Sequence, residues 1–177
     1  MATRRKVIVA ENGSPTLLLG NASDPAFATA APCPLFGVVV ALQYAATVHQ
    51  FNHWFAEGPA FMSLHDLFGS AYALCNGDAD SVAERAVVHG EPLSVRSRLQ
   101  AIMCLEDKFA SSGRYDASLS LAAEECIIDA AEAAIKIYEV DGVSSGMQGT
   151  INLLQGICDS HDQLIYKLTR ITANESY

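Results

Sequence analysis

Four segments of the chain carry apolar residues at helical spacing, and glycine or proline signals separate them. The predicted helices cover residues 34–57, 63–89, 116–140 and 148–172. A longer connection, residues 90–113, joins the second helix to the third and has room for a short helix at 95–109. Four long helices with one long crossover predict an all-α four-helix bundle.

The second predicted helix contains a local conflict. Gly69 and Gly77 each disfavour a helix interior by about 1 kcal/mol relative to alanine. Asn76-Gly77 followed by Asp78 is also typical of a turn with a new N-cap. Local signals alone therefore predict a break in this helix at Asn76-Gly77.

The length of 177 residues suits one domain with a substantial core, and half of the residues are hydrophobic. We expect residues 34–172 to form the bundle, residues 1–33 an N-terminal arm rich in turn signals, and residues 173–177 a frayed tail. The basic cluster of the arm, Arg4-Arg5-Lys6, is expected to be a solvated terminus, with a nucleic-acid contact as the alternative.

Charge and cysteine content narrow the class of protein. A net charge of −9 should repel nucleic acid from the body of the molecule. The five cysteines are odd in number and show no CxxC spacing, which argues against a disulfide framework or a zinc finger and favours buried free thiols. No signal peptide is recognisable, and the longest apolar stretch, residues 35–46, is too short to span a bilayer. We therefore expect a cytoplasmic protein.

Two histidines and two carboxylates form the strongest candidate site. His53 and His65 lie six residues on either side of Pro59, so a tight turn there between antiparallel helices would place the imidazoles side by side. Asp80 and Glu84 are four residues apart and share one helix face. Imidazole and carboxylate ligands together suit iron, zinc or manganese.

The two halves of this site cannot meet within one chain if the second helix is continuous. His65 and Asp80 are fifteen residues apart, which is about 22 Å along a helix that rises about 1.5 Å per residue. A second copy, packed antiparallel across a two-fold axis, would bring Asp80 and Glu84 of one chain against His53 and His65 of the other. The hypothesis is a pair of identical sites, each shared by two chains.

Two further histidines fall on apolar helix faces. His49, four residues before His53, is expected to be a hydrogen-bonded interior histidine or an outer-sphere partner of the site, and His161 is expected in the core or at an interface. No Glu or Asp lies three residues before any histidine, which argues against a four-carboxylate di-iron site within one bundle. The sequence also lacks a phosphate-binding loop and a recognisable nucleophile motif.

Over about residues 34–170 the chain closely resembles the Dps family, the miniferritins. The matching positions are His53-Trp54, Gly58, Phe61, Leu64, His65-Asp66, Phe68, Asp80, Ala83-Glu84-Arg85, Gly90 and Pro92, with Gly149-Thr150, Leu153-Leu154 and His161-Asp162 in the last helix. The resemblance implies a ferritin-like fold and a hollow dodecameric cage that oxidises iron(II), usually with hydrogen peroxide, and stores the ferric mineral. It also implies that His53 and His65 of one subunit and Asp80 and Glu84 of its two-fold partner hold the iron.

Two departures from the family pattern leave the activity open. Gly69 stands where the family normally has an aspartate, and Asp66 replaces that aspartate poorly because it lies about 100° around the helix from His65. Met147-Gln148-Gly149 stands where the family often has carboxylates that line iron-entry pores. The predicted function is an iron-oxidising storage cage. The alternatives are a structural cage with weakened or lost ferroxidase activity, a site that favours zinc, and DNA protection through the N-terminal arm.

Overall fold

The computed structural model describes residues 34–91, 93–109, 115–140 and 147–174. They form five helices: α1 Pro34–Phe55, α2 Phe61–Val88, α3 Val95–Phe109, α4 Ala117–Val140 and α5 Gln148–Asn174. The four long helices make the bundle, and the short α3 lies in the connection between α2 and α4 and packs on α1. The predicted all-α bundle with a short crossover helix is confirmed. The arm of residues 1–33, with its basic cluster, lies outside the described residues.

Helix α1 is the central element, since it packs against α2, α3 and α4. It is apolar around most of its circumference, and such a helix must be covered on all sides. The main core includes Leu35, Val38, Leu42 and Tyr44 of α1, Ala79 and Val82 of α2, Ile127 and Ala134 of α4, and Leu154 and Ile157 of α5. A smaller core consists of Phe68, Ala71, Ala117, Leu164 and Leu168.

Helix α2 runs without interruption for 28 residues, so the predicted break at Asn76-Gly77 is wrong. The side chain of Asn76 donates a hydrogen bond back along the helix to the carbonyl oxygen of Tyr72, at 2.9 Å, instead of starting a turn. Cys75 and Ala79, on either side of Gly77, are buried in the main core. Packing of this face outweighs the helix-propensity cost of one glycine, which is about 1 kcal/mol.

Turn and cap residues determine where the helices begin and end. The ends of the four long helices lie within two residues of the predicted ends. Gly58 has a φ of 79°, a conformation that favours glycine, and its carbonyl accepts a hydrogen bond from the N–H of Phe61 at 3.1 Å. Asp116 caps α4 because its Oδ1 accepts hydrogen bonds from the N–H groups of Ser118 and Leu119, at 2.9 and 3.1 Å.

The cysteines within the described residues are free thiols. Cys75 is buried, while Cys104, Cys126 and Cys158 are half-buried. Cys33 lies outside the described residues. Among the helices that the structure describes, none has both the length and the apolar character needed to cross a membrane.

Candidate metal centre

The turn between α1 and α2 brings His53 and His65 side by side. His53 lies in the last turn of α1 and His65 near the start of α2, and the short connection folds the two helices against each other. Their ring centroids are 3.7 Å apart and their planes differ by 26°. The predicted proximity of the two imidazoles is confirmed, and we refer to them as the histidine pair.

Each imidazole of the histidine pair donates a hydrogen bond to the backbone of the other residue. Nδ1 of His53 lies 2.8 Å from the carbonyl oxygen of His65, and Nδ1 of His65 lies 3.0 Å from the carbonyl oxygen of His53. A carbonyl oxygen only accepts, so both Nδ1 atoms carry a hydrogen, and in the neutral ring each Nε2 keeps a lone pair. This tautomer is the one that a metal ligand needs when it binds through Nε2.

Two aromatic rings flank the histidine pair. The ring of Phe61 lies 5.1 Å from that of His65, and Tyr72 meets His53 edge-on at 5.5 Å with an interplanar angle of 70°. Both contacts restrict rotation of the imidazoles, which the backbone hydrogen bonds already orient. The contribution of Tyr72 was not predicted from the sequence, because aromatic spacing alone does not show which ring it contacts.

Gly69 lies directly against the histidine pair. A Cβ atom at this position would come within 3.2 Å of Nδ1 and 3.3 Å of Cε1 of His53. These distances are shorter than ordinary van der Waals contact, so a larger residue requires a small shift of the His53 ring. Gly69 therefore supplies no ligand atom at this position, and it lets the His53 imidazole lie close to α2.

Asp80 and Glu84 lie far from the histidine pair within one chain. Both are exposed on α2, one helical turn apart. Because α2 is continuous, Asp80 is about 22 Å from His65 along the helix axis. The structure therefore brings together the two predicted histidines, and separately the two predicted carboxylates, but does not join the two halves in one chain.

Large apolar side chains are exposed beside both the histidine pair and the two carboxylates. Trp54, Phe61 and Met62, next to the histidine pair, are 64%, 40% and 65% exposed. Val87 and Val88, one turn beyond Glu84, are 66% and 77% exposed. Apolar surface of this kind is typical of a face that another protein chain covers.

A second group of polar side chains lies inside the bundle. We call it the core cluster: His49 of α1, Cys75 and Asp78 of α2, Glu124 of α4 and His161 of α5. All four long helices contribute to it. Its members other than Asp78 have no exposed surface. His49 lies one helical turn before His53 on α1, so the core cluster adjoins the histidine pair along the chain.

Glu124 is the centre of the core cluster. Its Oε1 accepts a hydrogen bond from Nε2 of His49 and its Oε2 accepts one from Nδ1 of His161, both at 2.6 Å. The other nitrogens of the two rings also have partners: Nδ1 of His49 is 3.1 Å from Oγ of Ser120, and Nε2 of His161 is 3.2 Å from Oδ2 of Asp78. Each buried carboxylate oxygen thus has a donor.

Burial and hydrogen bonding oppose each other in setting the pKa values of the core cluster. Burial acts to raise the pKa of Glu124, but hydrogen bonds from His161 and His49 outweigh it and hold the pKa below its usual value. Burial acts to lower the pKa of His161, but hydrogen bonds to Asp78 and Glu124 raise it to about 9. Burial and the charge of Glu124 raise the pKa of the Cys75 thiol, which stays protonated.

The sequence predicted interior positions for His49 and His161, which is confirmed, but it missed Glu124. Helical spacing in the sequence predicts an apolar stripe on α4 that consists of Leu121, Ile128, Ala131, Ile135 and Tyr138, with Glu124 off it. The face that is buried in the structure is rotated relative to this stripe. That face consists of Ala117, Ser120, Ala123, Glu124, Ile127, Ala130, Ala131, Ala134 and Tyr138. The sequence does contain a signal for the burial of Glu124, because this residue lies four residues after Ser120 and three before Ile127 and therefore shares a helix face with both.

Comparisons with known proteins agree with the fold. Residues 39–175 match the ferritin family, described as Ferritin-like domain. The nutrient stress-induced DNA-binding protein of Nostoc sp. is 29% identical over 133 residues, which cover 72% of this chain and 69% of that protein.

Two solved structures superpose on this chain. Dps from Microbacterium arborescens, in its high iron form, has a TM-score of 0.65 and 24% identity, with 85% of this chain and 97% of that chain covered. Dps from Listeria monocytogenes has a TM-score of 0.63 and 19% identity, with 82% and 96% covered. The predicted ferritin-like fold is confirmed.

Proposed function

Since this chain belongs to the ferritin family and is similar to Dps proteins, we propose that it oxidises iron(II) at sites shared by two subunits and stores the ferric product in a dodecameric cage. Iron is then the substrate and the cargo. The high iron form recorded for the Microbacterium arborescens relative supports iron as the metal. Zinc or manganese would suit the same imidazole and carboxylate ligands. We place the protein in the cytoplasm.

The observation that carries this proposal is the tautomer of the histidine pair. Nδ1 of His53 and Nδ1 of His65 both donate to backbone carbonyl oxygens, which leaves both Nε2 atoms as ligands for a metal ion. A histidine pair with only a packing role would not need both rings held in the same tautomer. The pair supplies neutral nitrogen ligands and no negative charge, so carboxylates are needed to balance an iron ion.

Asp80 and Glu84 of a partner subunit suit that need. Both carboxylates are exposed on α2, and the continuous helix keeps them away from the histidine pair of their own chain. An antiparallel two-fold pairing would place each pair of carboxylates against the partner's histidine pair. The exposed Trp54 and Met62 beside one half, and Val88 beside the other, would then be covered in the same interface.

The proposed reaction consumes hydrogen peroxide. Two iron(II) ions each lose one electron to one peroxide molecule, its O–O bond breaks, and it leaves as water after it takes up protons from solvent. Imidazole and carboxylate ligands tolerate both iron(II) and iron(III). Because the reaction removes both free iron(II) and peroxide, it would protect the cell against oxidative damage.

A structural cage with weak or absent ferroxidase activity is the second candidate function, and Gly69 favours it. A glycine supplies no ligand where a carboxylate would bind iron beside the histidine pair. Gln148 and Gly149, exposed at the start of α5, also supply no carboxylate for an iron-entry path. In this case the cage would keep the interface but oxidise iron slowly, or bind zinc instead.

DNA protection is a third candidate, supported by the name of the Nostoc relative. The net charge of −9 opposes it, because the body of the protein repels phosphate. Arg4-Arg5-Lys6 in the N-terminal arm would be the contact. A gel shift at low salt, with and without residues 1–10, tests this candidate, and binding that survives the deletion would exclude the arm as the contact.

The direct test of the ferroxidase proposal is the rate of iron(II) oxidation by hydrogen peroxide, followed by the ferric absorbance. We expect the assembled protein to exceed the protein-free rate clearly, and the His53→Ala variant to lose most of the difference. A wild-type protein that assembles but gives the protein-free rate would contradict ferroxidase activity and leave the structural cage.

A further inference from the structure

The core cluster brings three kinds of metal ligand together in the buried centre of the bundle. One ligand atom from each of His49, Cys75 and Glu124 lies within 4.8 Å of the other two. All three side chains are 0% exposed, and each comes from a different helix. Imidazole, thiolate and carboxylate are the usual protein ligands of zinc.

The spacing fits a small divalent ion with modest adjustment. Bonds of about 2.0–2.1 Å to nitrogen and oxygen and about 2.3 Å to sulfur put tetrahedral ligand atoms roughly 3.3–3.6 Å apart. Sγ of Cys75 lies 3.7 Å from Oε1 of Glu124, close to that separation. Nε2 of His49 lies 2.6 Å from the same oxygen, so an ion between them requires the two atoms to separate by roughly 0.7 Å.

The surrounding contacts already orient the ligands. Nδ1 of His49 is 3.1 Å from the Ser120 hydroxyl, which leaves Nε2 directed at Glu124. Oε2 of Glu124 is held by His161, which in turn contacts Asp78, so Oε1 is directed at His49 and Cys75. Outer partners of this kind fix ring orientation and carboxylate geometry around protein-bound metals.

We propose that the core cluster is a second metal site, which binds one zinc-type divalent ion through His49, Cys75 and Glu124. The thiolate favours zinc over magnesium, calcium or manganese, which prefer oxygen ligands. The site lies within one chain and needs no partner subunit. Three protein ligands leave the fourth tetrahedral position for a water molecule, and the ion would hold α1, α2 and α4 together at the centre of the bundle.

Ion binding displaces protons and changes no oxidation state. The S–H bond of Cys75 breaks, a sulfur–metal bond forms, and the proton leaves to solvent. The hydrogen on Nε2 of His49, which now points to Glu124, also gives way to the ion. In the neutral ring this hydrogen moves to Nδ1, and Nδ1 then donates a hydrogen bond to the Ser120 hydroxyl oxygen.

Cobalt(II) is the probe for this site, because a thiolate bound to cobalt gives a charge-transfer band in the near ultraviolet. We expect the full-length protein, stripped with a chelator, to develop this band up to one equivalent of cobalt per chain, and zinc to remove it. Cys75→Ser should abolish the band and weaken zinc binding by at least about tenfold. Cys158→Ser, which changes a half-buried cysteine of α5 outside the cluster, should keep it.

The same titration separates this site from the proposed iron site. His65→Ala should leave the cobalt–thiolate band unchanged, whatever its effect on iron oxidation. A folded wild-type protein with no band, or a band that survives Cys75→Ser, overturns the proposal. If Cys75→Ser does not fold, X-ray absorption of the zinc-loaded wild-type decides: one sulfur among the ligands supports the site, and nitrogen and oxygen alone overturn it.

Discussion

His49 and His53 are one turn apart on α1, yet they lie in opposite surroundings. His49 is fully buried, and both of its ring nitrogens contact side chains, Ser120 and Glu124. His53 is half-buried, and its Nδ1 bonds the backbone of His65. The inner histidine belongs to a set of groups that the chain completes itself, whereas the outer one belongs to the half of the proposed iron site that this chain supplies.

The difference shows how two clusters of similar residues acquire different roles. The core cluster must satisfy its polar groups internally, since a buried unpaired charge costs several kcal/mol. The histidine pair lies at a surface with exposed apolar side chains, so a second chain can supply what is missing. Variants of the core cluster should therefore change stability most, and variants of the histidine pair should change iron chemistry most.

The largest expected effect is that of Glu124→Ala. Removing the carboxylate leaves His49 and His161 buried without their shared acceptor, which should lower the free energy of unfolding by about 3–5 kcal/mol. Glu125→Ala, one exposed residue further on α4, is the matched control and should stay within about 0.5 kcal/mol. Urea unfolding at equal protein concentration with a chelator measures both. A loss below about 1 kcal/mol for Glu124→Ala would contradict the central role of this carboxylate.

The pH dependence of stability should come next in size. The pKa of His161 is raised from 6.5 to about 9 in the folded protein, so the folded state binds this proton more tightly than the unfolded state. Its contribution to the free energy of unfolding is complete below about pH 6.5 and is lost as pH rises through about 9, a change of about 3 kcal/mol. In metal-free protein, the urea midpoint of the His161→Gln variant should change less with pH over this pH range than that of the wild type. If the stability of the variant falls equally steeply with rising pH, titratable groups other than His161 cause the pH dependence.

His65→Ala should act on iron rather than on stability. Loss of one Nε2 ligand should weaken iron(II) binding by about 10–100-fold, while the assembled protein persists. Asp66→Ala, an exposed neighbour on α2, is the matched control and should leave iron binding nearly unchanged. Calorimetric titration with iron(II) under anaerobic conditions measures the affinity. Unchanged binding in His65→Ala would remove the histidine pair from the iron site.

Substitution of Gly69 should give the smallest effects, and two variants separate their causes. Gly69→Ala adds only a Cβ against His53 and should weaken iron binding a few-fold, equivalent to about 1 kcal/mol or less. Gly69→Asp adds the same Cβ together with a carboxylate one turn after His65, and should exceed Gly69→Ala in iron affinity and oxidation rate. Equal values for the two variants would show that the missing carboxylate does not limit the site.

Local signals were sufficient to predict most of the fold. The turn at Gly58 and the cap at Asp116 are set by one or two residues and their nearest backbone groups. The sequence therefore predicts the tight turn next to Pro59 and the start of a helix at residue 116. The proximity of His53 and His65 followed from that turn. The break at Gly77 was wrong because the packing of Cys75 and neighbouring residues lies outside any local window.

The core cluster could not be predicted from the sequence, for a related physical reason. A glutamate in a helix is normally exposed, so the sequence alone favours the solvent side for Glu124. Its burial becomes reasonable only when His49 and His161, from two other helices, are known to donate to it. Sequence spacing placed each histidine on the correct face but could not show that the two faces meet at one carboxylate.

The central claim is that each iron site takes histidines from one chain and carboxylates from another. It is tested by co-assembling His65→Ala subunits with subunits that carry both Asp80→Asn and Glu84→Gln. Each variant alone should be inactive in iron oxidation. In a mixed pair, one site joins the intact histidines to the intact carboxylates, so random pairing should restore about a quarter of the wild-type sites. Mixed assemblies no more active than the two separate variants would contradict the shared site.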